Sequence, residues 1–214
     1  MTFHEYRSIC DNLLREAFGD GRGDGYFDMH SNRVHEWLVR FDLFKPLGNL
    51  LDIGPFFSLT PFLLQPNSSS VSVLEGDDPA ADPLVKMYER RGIAANFTDL
   101  NELFGFPRGA SRRLPYEDDL FDTILCWETM EHFSFNPVPF VKELGRIAKP
   151  DARIIVIVPD RASDLQRPSS VFREHAGEGN RRAVRHGGLS VQRQACLPRS
   201  ALARIHAEGA EVAV

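Results

Sequence analysis

Two acidic residues at the ends of successive apolar segments are the side chains best placed to do chemistry. The first segment leads through Leu51 into Asp52, Ile53 and Gly54, and a second apolar run over 71–74 ends in Glu75. A glycine after a strand lets the backbone approach a ligand closely. An acid at the end of the second strand of a βαβ unit can accept hydrogen bonds from ribose hydroxyls. The two features together predict a site for a cofactor of nucleotide type.

A second group of reactive side chains follows the fourth apolar segment, where Glu128, Glu131 and His132 stand close together. If this stretch is helical, the three side chains share one face. Two carboxylates and an imidazole could then bind a divalent cation, with His175 as a further candidate ligand. Alternatively, His132 or Glu131 is a general base that removes a proton from a hydroxyl or an amine. A purely structural role is the third interpretation.

Alternating strand and helix patterns must position these residues. We predict strands at 49–53, 71–75, 93–97, 121–126 and 153–158, and helices near 59–65, 80–91 and 137–148. Pro137 and Pro139 suit the first turn of the last helix. The strands are continuous apolar runs, which predicts a doubly wound, Rossmann-like α/β fold, with a mostly parallel sheet covered by helices on both faces. Ligands bind beyond the carboxyl ends of such strands, where Gly54, Glu75 and Trp127 fall.

The chain divides into three parts in this interpretation. Residues 1–47 form a small helical cap, 48–160 form the cofactor-binding core, and 161–214 form an irregular, Arg-rich tail. The cap contains helices over 3–18 and 31–44 with a glycine-rich loop between them, and Ser31 is the expected N-cap of the second helix. The tail is a surface lid or a truncated end, with a short helix at 198–207 and a final strand at 210–214, so the closing strands of the fold are expected to be incomplete.

Three histidine and arginine side chains of the cap have two interpretations. His30 and Arg33 lie one helical turn apart and could bind an acidic substrate, and His35 lies in the same cap. The alternative is an ordinary solvated helix face.

The net charge, the cysteines and the apolar runs of the chain limit the kinds of partner and compartment that we expect. The formal net charge is -5, which disfavours sequence-independent binding to nucleic acid. Three widely spaced cysteines predict a reducing compartment without disulfide bonds. The N-terminus does not read as a signal peptide, and the longest apolar run, 154–158, is too short to span a membrane. We therefore expect a cytoplasmic protein with a small-molecule partner, no nucleic acid and no membrane.

Four segments carry a resemblance to a known family, in the right order and spacing. They are Leu51-Asp52-Ile53-Gly54, Val73-Leu74-Glu75-Gly76, the Leu114-Pro115-Tyr116 stretch that leads through Phe121-Asp122 to Cys126, and Phe140-Val141-Lys142-Glu143-Leu144-Gly145-Arg146-Ile147-Ala148-Lys149-Pro150. Over residues 48–160 the chain resembles the class I S-adenosylmethionine-dependent methyltransferases, in particular the methyltransferase type 11 group.

This resemblance implies S-adenosylmethionine as cofactor and methyl transfer to an O, N or C atom of a small molecule. It implies that Asp52 and Gly54 lie by the methionine part of the cofactor, and that Glu75, followed by Gly76, binds both ribose hydroxyls. It also implies that Cys126 and Trp127 line the cofactor. Asp99 would face the adenine amino group, or would simply cap a turn.

The chain departs from the family pattern at two turns. Phe56 and Ser58 replace glycines of the first motif, and Pro150-Asp151-Ala152 replaces the usual Pro-Gly-Gly turn before the fifth strand. A non-catalytic binding module with the same fold is therefore an alternative function. A nicotinamide-dependent oxidoreductase is a third, which the missing GxGxxG motif disfavours.

Overall fold

The structure, a computed structural model, describes residues 1–19, 25–55, 59–76, 83–105, 113–158 and 195–198 of the chain. Two helices come first, and strands then alternate with helices. In chain order the elements are α1 (Phe3–Phe18), α2 (Gly25–Arg40), β1 (Gly48–Ile53), α3 (Thr60–Leu64), β2 (Ser68–Glu75), α4 (Pro83–Arg90), β3 (Ala94–Phe97), α5 (Leu100–Phe104), β4 (Phe121–Trp127), α6 (Val138–Ile147), β5 (Ala148–Ile157) and β6 (Ala195–Pro198).

One sheet connects all six strands in the order β3-β2-β1-β4-β5-β6. The first five strands are parallel and β6 runs antiparallel to β5. The predicted doubly wound α/β fold is confirmed. The direction of strand addition reverses between β1 and β4, and a crevice at the carboxyl ends of these two strands is the usual ligand site of such sheets.

Helices cover both faces of the sheet. Leu50, Val73 and Leu125 pack in one apolar cluster with side chains of α1, α2, α3 and α4, whereas Leu51 and Ile124 pack in a second cluster with side chains of α5 and α6. Because successive side chains of a strand point to opposite faces, Asp52 shares the α1–α4 face with Leu50, Glu75 shares it with Val73, and Trp127 shares it with Leu125. The three site residues therefore lie on one face, at one end of the sheet.

Helix α2 differs from its prediction at both ends. It begins at Gly25 instead of Ser31. Ser31 is buried inside the helix and its hydroxyl accepts a hydrogen bond from Nη1 of Arg7 on α1 at 2.9 Å, so it does not act as an N-cap. The helix ends at Arg40, before the predicted residue 44, because Asp42 adopts a φ of 54° in the left-handed region. The N–H of Leu43 then bonds the carbonyl of Leu38 at 2.9 Å, which closes the last turn.

The predicted turn before the fifth strand is part of that strand. β5 begins at Ala148, and its pairing with β4 shifts register between Phe121↔Ala148 and Thr123↔Arg153. Pro150 and Asp151 occupy this irregularity, where a proline removes no ladder hydrogen bond. The missing glycines of the Pro-Gly-Gly pattern are therefore accommodated by a bulge in the strand.

Some elements and some buried side chains also differ from the predictions. The short helix α5 and the edge strand β6 were not predicted, and Pro198 ends β6 where a helix was expected to begin. The rest of the predicted helix at 198–207 and the predicted strand at 210–214 lie outside the described residues. On α1, Cys10 is buried while Phe3 and Ile9 are exposed, although Phe3 and Ile9 fit the helical period.

None of the described helices has the length and apolar character needed to cross a bilayer.

The turn into β1 generates a stability prediction. Gly48 has a φ of 66°, and a Cβ atom there would lie 2.5 Å from the carboxylate of Asp122. Asp122 cannot move freely, since it accepts hydrogen bonds from the N–H of Asn49 at 2.8 Å and from Nζ of Lys149 at 2.8 Å. Gly48→Ala should therefore lower the free energy of unfolding by more than the ~1 kcal/mol of a left-handed alanine, as measured by urea denaturation.

Gly92→Ala is the matched control. Gly92 has the same φ of 66°, with no atom within 4 Å of an added Cβ. It isolates the backbone penalty, and equal losses for the two variants would contradict the proposed clash with Asp122.

Candidate functional site

At Gly54 the turn after β1 contacts the backbone of β2 and a side chain that follows β4. The φ of Gly54 is 63°, and its N–H donates to the carbonyl of Leu74 on β2 at 2.8 Å. A Cβ atom at this position would lie 2.6 Å from the Thr129 side chain, which follows β4. Both the backbone conformation and the close approach require glycine here, so the sequence-predicted Gly54 lies where the turn after β1 meets the segment after β4.

Thr129 is a site residue that the sequence analysis missed. Its Oγ1 lies 3.0 Å from the Trp127 carbonyl and 3.1 Å from the Ile53 carbonyl, and the single hydroxyl proton can be donated to one of them at a time. The hydroxyl thereby fastens the end of β4 to the end of β1. Its position directly after the fourth strand was the one signal that could have singled it out.

Asp52 and Glu75 lie near the same ends of adjacent strands, where Asp52 pairs in register with Val73, two residues before Glu75. Asp52 is 2% exposed and Glu75 is 8% exposed. Burial, with the nearby charge of Glu75 as a second cause, raises the pKa of the Asp52 carboxyl well above its usual range. Among the residues that the structure describes, Oδ2 of Asp52 and Nε1 of Trp127 are buried polar atoms without a hydrogen-bond partner. A buried acceptor and a buried donor in this state fit a polar ligand that supplies the missing partners.

Asp99 lies close to the end of β2. Phe97 pairs with Glu75 in register, and the N–H of Thr98 donates to the Glu75 carbonyl at 2.7 Å. Asp99 is the N-cap of α5, where Oδ1 accepts from the N–H groups of Asn101 and Glu102 at 2.8 and 3.2 Å. Asp99 therefore caps a helix, as one of its two interpretations predicted, and it does so near Glu75, the acid predicted to bind ribose. Gly76 follows β2 in an exposed bend.

Cys126 lies on the face opposite Trp127. It is completely buried in the apolar cluster that contains Ile53 and Leu74. Burial, with Asp52 and Glu131 as further causes, raises the pKa of its thiol far above the usual value. The thiol is therefore neutral and packs as a small apolar group.

The segment after β4 is not α-helical, and this removes the premise of the shared helix face. Glu128 is in the left-handed region with a φ of 48°, and Met130–His132 form a single 3₁₀ turn. Among the described side chains, no group of three His, Cys, Asp or Glu residues could hold a metal ion. Crowding by the protein around the Glu131 carboxylate raises its pKa, although the residue is exposed, while His132 and Arg33 act in the opposite direction.

Arg33 of α2 interacts with this segment. Its Nη1 lies 2.7 Å from Oε1 of Glu128 and its Nη2 lies 3.0 Å from Oε2, a bidentate ion pair. The charge that the sequence offered to an acidic substrate is thus already compensated. His35 packs against the rings of both Phe3 and Tyr6, at centroid distances of 5.2 and 5.0 Å. His35 therefore ties α1 to α2.

Some candidates fall outside what the structure describes. These are the side chain of His30, and residues Phe56, Ser58 and His175 in full.

Comparison with known proteins gives a family for part of the chain. Residues 80–156 match the family model described as "Methyltransferase domain". No match is found among curated proteins. Several solved structures are similar in fold.

The PH0226 protein from Pyrococcus horikoshii OT3 has a TM-score of 0.51 and 18% identity, covering 68% of this chain and 64% of that one. The YcgJ protein from Bacillus subtilis has a TM-score of 0.43 and 21% identity over 58% of this chain and 51% of that one. A SAM-dependent methyltransferase from Aquifex aeolicus has a TM-score of 0.43 and 19% identity, over 75% and 76% of the two chains. The chain thus spans about half to two thirds of the first two of these structures.

Residues 80–156 therefore match a methyltransferase domain, and the sheet that contains them has the doubly wound α/β strand order.

The buried Asp52 carboxyl leads to a prediction of how the free energy of unfolding depends on pH. Because the pKa of Asp52 is higher in the folded state than in the unfolded state, the folded protein binds more protons in the interval between the two values. Stability should fall as pH rises through that interval, by about 1.4 kcal/mol for each pH unit that the interval spans. Asp52→Asn removes this titration. The free energy of unfolding of the variant, relative to the unsubstituted protein, should therefore increase between about pH 4.5 and pH 8 in chemical denaturation.

Asp122→Asn is the control, since its carboxyl shifts the other way. Partial burial opposes the shift, but Lys149 and the N–H of Asn49 lower the pKa of Asp122. Asp122 is therefore already ionised in both the folded and the unfolded state across the pH range compared for Asp52→Asn. The stability difference between Asp122→Asn and the unsubstituted protein should stay constant over the same range. A constant difference for Asp52→Asn as well would contradict the raised pKa.

Proposed function

We propose that this protein transfers a methyl group from S-adenosylmethionine to an O, N or C atom of a small-molecule acceptor. The observation that carries the proposal is the buried Asp52 carboxylate, with no hydrogen-bond partner for Oδ2 among the described residues, beside the buried Glu75 at the carboxyl ends of β1 and β2. The family match over 80–156 and the turn at Gly54 support it.

The residues present fit the cofactor's polar groups. We assign Glu75, followed by Gly76, to the two ribose hydroxyls, and Asp52 to the ammonium of the methionine part, next to the Gly54 turn. Asp99 is assigned to the adenine side of the same edge, and Trp127 to the wall after β4. Cys126, which the sequence placed there too, lies in the apolar cluster on the opposite face and is not assigned to the cofactor. Bound S-adenosylmethionine supplies a methyl group already activated by its sulfonium charge.

The protein's own task is then mainly positioning. Holding the acceptor atom in line with the reactive carbon is worth several powers of ten in rate. We propose that α1 and α2 form a cap over this end of the sheet, which covers the cofactor and shapes the acceptor site. The apolar cluster that joins Trp37 of α2 to Trp127 of β4 supports this arrangement.

Proton removal from the acceptor needs a base, and we propose His132 and Glu131 for this role. Both lie in the turn after β4, close behind Thr129 in the chain. The raised pKa of Glu131 brings its basicity closer to that of imidazole.

Glu75→Gln tests the cofactor assignment. Glutamine keeps the shape but replaces two charged acceptors with one neutral acceptor, so affinity for S-adenosylhomocysteine should fall about 10- to 100-fold in isothermal titration. The exposed Glu117→Gln is the control and should bind as the unsubstituted protein does. Unchanged affinity of Glu75→Gln would refute the assignment.

His132→Ala and Glu131→Gln test the base. Either variant should bind S-adenosylhomocysteine within about twofold of the unsubstituted protein, while the base's loss lowers methyl transfer about 10²-fold or more. The measurement is S-adenosylhomocysteine release in the presence of pools of small hydroxyl, amine and carbon acceptors. Full activity in both variants would exclude them as the base. Cofactor binding by the unsubstituted protein without turnover on any acceptor class would favour the non-catalytic binding module.

A further inference from the structure

Helix α2 is joined to the site by one ion pair of favourable geometry. Arg33 and Glu128 are 95 positions apart in the chain, and both their side chains are about one-fifth exposed. Two parallel N–H···O contacts of 2.7 and 3.0 Å make the pair bidentate, the geometry in which a guanidinium and a carboxylate interact most strongly. Partial burial also protects the pair from screening by salt.

Glu128 is held in a conformation that a non-glycine residue rarely adopts. Its φ is 48°, and its N–H donates to the carbonyl of Ile157 on β5 at 2.7 Å. A left-handed backbone of this kind persists only where the surroundings impose it. The next residue is Thr129, whose hydroxyl contacts the carbonyls of Ile53 and Trp127. The conformation of Glu128 therefore sets where Thr129 meets the Gly54 turn.

The chain's two tryptophans lie at the same junction. The rings of Trp37 on α2 and Trp127 on β4 are in edge-to-face contact with centroids 5.3 Å apart. The guanidinium of Arg33 lies 5.7 Å from the Trp37 ring, within the range of a cation–π interaction. Any change in how α2 packs against β4 must therefore alter the environment of both indoles.

We propose that Arg33 and Glu128 form a latch that couples the packing of α2 to the affinity of the cofactor site. The pair fixes α2 over the carboxyl end of β4, and through Glu128 and Thr129 it fixes the turn at Gly54. Arg33 is thus a positioning residue that acts through Glu128. The part of this inference that concerns affinity rests on the proposed function.

Arg33→Gln and Glu128→Gln test the latch in two independent ways. Without cofactor, tryptophan emission should shift and the near-ultraviolet circular dichroism of the indoles should weaken in both variants. With S-adenosylhomocysteine, the dissociation constant should rise about tenfold, which is about 1.4 kcal/mol. The double variant Arg33→Glu/Glu128→Arg should recover at least half of each effect, because it restores the attraction. Arg33→Lys keeps the positive charge but cannot form two parallel hydrogen bonds to the carboxylate. Its tryptophan signals and its dissociation constant should therefore lie between those of the unsubstituted protein and Arg33→Gln.

Two controls separate this role from general stability. Arg91→Gln removes another ion pair, which joins the residue after α4 to Glu16 of α1. It should lower the thermal midpoint but leave the emission and the dissociation constant unchanged. Glu128→Gly relieves the left-handed backbone while removing the carboxylate, so it should behave like Glu128→Gln.

The latch is overturned by either of two results. One is wild-type affinity in Glu128→Gly, which would assign the effect to the backbone alone. The other is unchanged emission in Arg33→Gln and Glu128→Gln with only a lower thermal midpoint, as for Arg91→Gln. If the unsubstituted protein binds no S-adenosylhomocysteine, the proposed function fails, and the emission and circular dichroism of the cofactor-free variants still decide whether the pair holds α2.

Discussion

A buried carboxylate, one of whose oxygens has no hydrogen-bond donor among the described residues, is the constraint around which this site is arranged. Removing a charged group from water costs several kcal/mol unless a partner compensates for it, and Asp52 sits 2% exposed beside a second acid, Glu75. The fold tolerates this because both residues lie in the carboxyl-terminal parts of buried parallel strands, whose apolar side chains supply stability elsewhere. Such an arrangement is unfavourable for the empty protein and favourable for a ligand with cationic and hydroxyl groups, which is the character of the proposed cofactor.

The second constraint is the convergence of backbone at the ends of β1, β4 and β5. Gly54 leaves no room for a Cβ, Thr129 contacts the Ile53 and Trp127 carbonyls, and the N–H of Glu128 bonds the Ile157 carbonyl. Each of these contacts depends on the others, since a shift of the loop after β4 would displace the turn after β1. The Arg33–Glu128 pair extends this arrangement to α2, which explains why a helix near the N-terminus bears on residues far along the chain.

Much of the fold follows from local pattern, as particular elements show. The run 154–157 and the pair Leu50-Leu51 place apolar side chains on both faces of their strands, which a strand covered by helices on each side satisfies, and both segments lie in buried strands. The residues at which helices and strands begin and end were less predictable. Ser31 has the chemistry of an N-cap but bonds Arg7, and Pro150 and Asp151 resemble a turn but form a bulge in β5, because in each case a partner distant in sequence outweighs the local preference.

The sequence by itself determined the class of fold and placed Asp52, Gly54 and Glu75 at the carboxyl ends of their strands, because apolar periodicity and the position of each acid after its strand are local properties. The tertiary structure decided which groups meet. It buried Asp52 beside Glu75, directed Cys126 into the opposite apolar cluster, and joined Arg33 to Glu128 in place of an acidic substrate. It also replaced the expected helical face after β4 with a left-handed residue and a 3₁₀ turn. These outcomes depend on strand register and on contacts between distant segments, which no pattern of neighbouring residues contains.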